Sequence, residues 1–149
     1  MSEIKKAELI ANLAFNLLAK CQEKEALLAE QQGLFPSEFR CIKLLGSDEK
    51  LNNEAIAKRM ELSPSRLTRV IDGLVKKGYM KREINKEDRR KLIIRFSKRG
   101  KNLSNKLNNK LIKIHSDILK EIKSSQHESL IKAMSNLNSA IERWLQKTL

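Results

Sequence analysis

Aromatic residues are scarce in this 149-residue chain, at 4%, and so are glycine (5), proline (2) and cysteine (2). Each shortage excludes something. All-β sandwiches and barrels need many strands rich in aromatic residues and many Gly/Pro turns, so this composition favours helices. Two cysteines, Cys21 and Cys41, make no disulfide framework, which fits a reducing compartment. No apolar run approaches the ~20 residues that a membrane span needs. Met1–Lys6 carries Glu3, Lys5 and Lys6, so a secretory leader is not expected. The expectation is a cytoplasmic protein with no membrane partner. Nucleophile–base motifs, phosphate-cradling glycine loops and metal-ligand clusters are also missing, so neither an enzyme nor a cofactor is expected.

What the chain has is positive charge in one place. Its formal net charge is +13, and residues 58–110 hold 18 basic against 5 acidic side chains, a surplus that accounts for all of it. A protein basic only for solubility would spread that charge. Confined to one segment, it suits a polyanion such as nucleic acid.

Apolar periodicity organises the rest. Residues 3–30 read as one long helix, with Ile4, Ala7, Ala11, Ala14, Leu18 and Cys21 on a stripe widened by Ile10, Leu13 and Leu17. So wide a stripe needs a large partner surface. Gly33 and Pro36 break the chain, and Phe39, Cys41, Ile42 and Leu45 then mark a short helix ending near Gly46. After a polar turn at 47–50, Asn52 caps a helix whose buried side is Ile56 and Met60. Residues 64–77 have the clearest ends. Ser63 caps, Pro64 takes the first helical position and Gly78 closes the helix over a stripe of Leu67, Val70, Ile71, Leu74 and Val75. "YMKREI" (79–84) and "LIIRF" (92–96) read as a short hairpin around the charged turn "NKEDRRK". Ser97 then caps a helix to about Lys123, and Ser125 with Glu128 forms a capping box for a last helix bearing Leu130, Met134, Leu137, Ile141, Trp144 and Leu145.

Two short helices joined by the three-residue turn "ELS", followed by a hairpin, make a helix-turn-helix with a wing. Its recognition helix, 64–77, presents Ser65, Arg66, Thr68 and Arg69 beside the Ser63 cap, and arginine pairs bidentately with guanine. The N–H groups of Ser65 and Arg66 are placed to hold a phosphate. The wing, 85–91, offers Lys86, Asp88, Arg89, Arg90 and Lys91. The fold class is mainly α with a small β-hairpin wing: a winged helix-turn-helix domain plus a helical dimerisation region. An ordinary amphipathic hairpin of helices explains the stripes equally well, but not two arginines one turn into the helix, in the segment that carries all the excess charge.

The stretch from Asn52 to Gly100 resembles the MarR family of winged-helix regulators, through Ala57, Ser63, "LTRVIDGLVKKGY" (67–79), "DRR" (88–90) and "FSKRG" (96–100). Phe35, where the family often has a hydroxyl cap, and "FS" for the commoner "LT" are mild departures. The resemblance implies an obligate homodimer through 1–33 and 98–149, with 34–97 binding double-stranded DNA at a palindromic site. It also implies that Asp88 orients neighbouring arginines and that Arg90 enters the minor groove, with Arg89 the close alternative. A narrow minor groove concentrates negative potential and attracts arginine.

The functional expectation is a homodimeric, sequence-specific regulator, a repressor relieved by a small aromatic or anionic effector. A non-specific or architectural nucleic-acid-binding protein is the alternative. Cys21 lies on the first helix, where some family members sense peroxide, but on an apolar stripe it also reads as a small hydrophobe. Cys41 reads as structural. His115 and His127 lack zinc-ligand spacing, and Phe15, Phe35, Phe39 and Trp144 are the few stacking candidates, with core packing as their ordinary role.

Overall fold

Ser2 starts the first helix by accepting the Lys5 N–H (3.2 Å), and α1 runs Glu3–Gln31 in the computed structural model, which describes residues 1–46 and 51–148. The polar turn expected at 47–50 lies outside the described residues. Gly33, at φ +67°, ends α1 with the Leu34 N–H bonded to the Ala29 carbonyl (2.9 Å). Helix α2 (Pro36–Leu45) has no hydroxyl cap, because Phe35 carries no acceptor; instead Glu38 Oε1 accepts the Phe35 N–H at 2.8 Å, half of a capping box.

Strand β1 (Leu51–Asn52) leads into α3 (Asn53–Met60), capped by Asn52 Oδ1 on the Ala55 N–H (2.8 Å). Glu61 takes the left-handed conformation (φ 54°) and turns the chain toward α4 (Pro64–Lys76). Gly78 closes α4, with the Tyr79 N–H on the Leu74 carbonyl and the Gly78 N–H on that of Val75. Strands β2 (Met80–Ile84) and β3 (Leu92–Phe96) pair antiparallel from Met80↔Phe96 to Ile84↔Leu92. Helix α5 (Lys98–Lys120) follows Ser97, whose hydroxyl accepts the Gly100 N–H (3.0 Å) and donates to the Gly78 carbonyl (2.6 Å). A 3₁₀ turn, Ser124–Gln126, precedes α6 (His127–Thr148).

The chain divides into two compact units, Met1–Asn105 and Lys106–Leu149. In the first, Phe39, Ile42, Ile56, Leu67, Ile71, Leu74 and Ile94 are almost wholly buried. Each such side chain contributes roughly 1.5–3 kcal/mol of hydrophobic stabilisation. This core seats α4 and leaves its opposite face outward. In the second unit α6 has no buried residue.

Four details differ from the sequence expectation. The sheet has three strands in the order β1-β3-β2, because Leu51 and Asn52 pair with Ile94 and Ile93. Val75 is only half-buried. Helix α5 stops at Lys120 rather than Lys123, where the Glu121 and Ile122 N–H groups bond three residues back (3.0 Å each) and His127 Nε2 meets the Leu119 and Ile122 carbonyls (2.9 Å each). Ser125 lies inside the 3₁₀ turn and so is no N-cap, the turn running directly into α6.

Candidate nucleic-acid interface

Helix α4 is amphipathic because Leu67, Val70, Ile71 and Leu74 recur at helical spacing and are buried. That fixes the rotation of the helix and turns Ser65, Arg66, Thr68 and Arg69 to solvent; all four are exposed, as is Ser63. Ser63 Oγ accepts the Arg66 N–H (3.3 Å) and lies 3.3 Å from Ser65 Oγ. The Arg66 N–H is therefore taken, and of the two amides expected to hold a phosphate only that of Ser65 is left by this cap. Thr68 Oγ1 donates to the Pro64 carbonyl (2.9 Å), so its lone pairs remain for a donor.

The wing turn is held by its own polar groups. The Asn85 N–H bonds the Lys91 carbonyl (3.1 Å), the Lys91 N–H bonds that of Asp88 (3.0 Å), and Asn85 Oδ1 accepts the Glu87 N–H (2.9 Å). Asp88 Oδ1 accepts both the backbone N–H (3.1 Å) and the Nε–H (3.4 Å) of Arg90. The Arg90 side chain is nevertheless 94% exposed. Lys86, Arg89 and Lys91 are exposed as well. The turn thus presents four cations on a framed loop, with one of them restrained.

Sequence reasoning missed the residues that join wing and helix. Arg82 on β2 pairs with Asp72 on α4, Arg95 pairs with Glu83 across the hairpin (3.4 Å), and the Arg99 guanidinium lies over the Tyr79 ring (4.9 Å). It also missed Glu38, whose side chain is 2% exposed and whose Oε1 accepts from Lys77 Nζ at 2.5 Å. A charged residue inside an apolar helix face was the available signal.

The other candidates sort by burial. Cys41 is fully buried, and that burial, with the Glu38 carboxylate nearby, pushes its thiol up to about 12. Cys21 is half-buried, 4.0 Å from Lys24 Nζ. Of the aromatic candidates only Phe39 packs in the core; Phe15, Phe35 and Trp144 are 75%, 68% and 61% exposed in the single chain. Phe35 instead lies under the Lys77 ammonium, 4.7 Å from ring centroid to Nζ. Among the described residues no three His, Cys, Asp or Glu side chains gather as a metal site, and no helix is long and apolar enough to cross a membrane.

Comparison with known proteins agrees with this arrangement. Residues 34–92 match the model of the MarR family. The HTH-type transcriptional repressor YetL of Bacillus subtilis is 32% identical over 72 residues, 47% of this chain, and that match spans only 43% of YetL. The HTH-type transcriptional regulator SarZ of Staphylococcus haemolyticus is 27% identical over 139 residues, covering 91% of this chain and 93% of SarZ. The structure of Streptococcus pneumoniae FabT in complex with DNA superposes with a TM-score of 0.72 at 17% identity, over 96% of this chain and 99% of that one, which shows a shared fold. The winged core, residues 34–92, thus matches the MarR family of winged helix-turn-helix transcriptional regulators, and along nearly its whole length the chain is similar to a transcriptional regulator.

Proposed function

We propose that this protein is a homodimeric, cytoplasmic transcriptional repressor that binds a palindromic DNA site. Recognition helix 64–77 reads the major groove through Ser65, Arg66, Thr68 and Arg69 from the Ser63 cap, and wing 85–91 reaches the minor groove through Arg90. In this reading 34–97 is the DNA-binding domain, and 1–33 with 98–149 forms the dimer. The observation that carries it is the exposed polar face of a doubly capped α4 beside a wing arginine restrained by Asp88. The repressor activity of YetL and the DNA bound to FabT point the same way.

The dimer is supported by apolar side chains that one chain leaves uncovered. Ile4, Leu13 and Leu18 on α1 are 82%, 66% and 57% exposed, and Met134, Ile141 and Trp144 on α6 are 52%, 46% and 61% exposed. A small effector is supported by a cleft of about 400 Å³ between α2 and α4, where Arg69 and Lys76 favour an anion and Phe35 offers a ring, the charge of Lys77 being met by Glu38 in the same lining.

Arg66→Ala tests sequence reading. Base contact predicts that preference for the operator over random duplex drops by roughly 1–3 kcal/mol while affinity for random DNA changes little. An equal loss on both would instead favour the non-specific, architectural alternative.

A further inference from the structure

Lys77 stands at the C-cap of α4, the end remote from the exposed arginines. Its ammonium donates to Glu38 Oε1 (2.5 Å) and to the Gly33 carbonyl (3.0 Å), and it lies over the Phe35 ring. Glu38 Oε1 also holds the Phe35 N–H. One cation therefore joins the end of α4 to the corner between α1 and α2 at three points. Glu38 Oε2 is buried and accepts no hydrogen bond from the described residues, so the bonds to Lys77 and Phe35 both run through the other oxygen. Gly73 makes room for it: a Cβ there would stand 2.5 Å from Oε2.

We propose that Lys77 and Glu38 are positioning residues for DNA recognition, clamping the recognition helix to the end of α1 so that its arginines meet the base edges in register. The proposal rests on the DNA-binding reading above and names what aims the helix within it. A 13-residue helix is roughly 20 Å long, so a small tilt at the clamped end carries Arg66 and Arg69 sideways. Hydrogen bonds to bases tolerate only a few tenths of an ångström. Because the corner at Gly33 directly follows α1, the clamp also fixes α4 against the helix assigned to the dimer. That angle sets the spacing of the two recognition helices, which a palindrome demands at about 34–36 Å.

The test compares wild type, Glu38→Gln/Lys77→Met, Lys77→Arg and Gly73→Ala, each first shown to be folded by thermal melting. The double variant removes both charges and strands neither. Gly73→Ala keeps every charge and crowds only the carboxylate. Affinities are measured for DNA from upstream of the protein's own gene and for random duplex, over a series of salt concentrations.

The clamp predicts that the double variant and Gly73→Ala lose operator preference by roughly 5–150-fold, the usual range for coupling between separate sites. Their salt slopes stay at the wild-type value, and Lys77→Arg retains the preference. Unchanged preference in both variants overturns the proposal. So does a slope smaller by about 0.9 when Lys77 is removed, since that marks a direct phosphate contact. A wild type with no operator preference would instead overturn the DNA-binding reading, and the clamp with it.

Discussion

At the tip of the wing, Asp88 accepts two hydrogen bonds from Arg90 while the guanidinium remains almost fully in solvent. That combination limits the side chain's freedom in the free protein, so in the proposed reading less entropy is lost on binding DNA. Arg90→Ala should therefore weaken DNA binding in a gel shift by about tenfold or more, as hydrogen bonds to charged groups contribute roughly 1.5–3 kcal/mol. Unchanged affinity in an intact dimer would return the turn to the status of a solvated loop. Cys41 gives a second test at this scale. Its thiol titrates near 12 in the fold against 9.0 as the ordinary value, so ionisation favours unfolding. Its contribution to stability is whole below pH 9 and is lost as pH rises toward 12. In a Cys21→Ala background, a thiol reagent at neutral pH should label Cys41 only as fast as the protein unfolds. Rapid labelling of the native protein would contradict its burial.

Helix α4 was legible in the sequence because both its ends and its stripe are local signals: Ser63–Pro64, Gly78 and the run from Leu67 to Leu74. The wing was legible for the same reason, with β-forming segments on both sides of a charged turn. Strand β1 was not, since two residues carry no alternation and the pairing with β3 is made 43 positions away, Leu51 to Ile94. The Ser125–Glu128 spacing misled because His127 Nε2 meets the carbonyls of Leu119 in α5 and Ile122 just after it, and the chain tightens into a 3₁₀ turn before α6. The Glu38–Lys77 contact joins residues 39 apart, which spacing alone cannot reveal. At the Ser97 corner, a Cβ on Gly100 would overlap the Tyr79 carbonyl, which receives the Ser97 N–H. Gly100→Ala should lower stability by roughly 1–3 kcal/mol, the range for overpacking, even though alanine favours helix. An unchanged denaturation midpoint would show that the corner shifts without cost.

At the scale of the molecule two features stand out: the surplus of basic over acidic residues in 58–110 and the exposed apolar side chains of α1 and α6. In the proposed reading DNA answers the first and a second copy answers the second. Sedimentation should give a mass near twice 17.2 kDa at micromolar concentration. A monomer under those conditions would contradict the dimer and remove the reason to expect a palindrome. The central claim is that charge and geometry together read a sequence. It is tested most directly by measuring affinity for DNA from upstream of the protein's own gene against random duplex at about 150 mM salt. Specific binding should exceed random binding by roughly 10³-fold or more. A preference of only a few-fold at that salt concentration would contradict it.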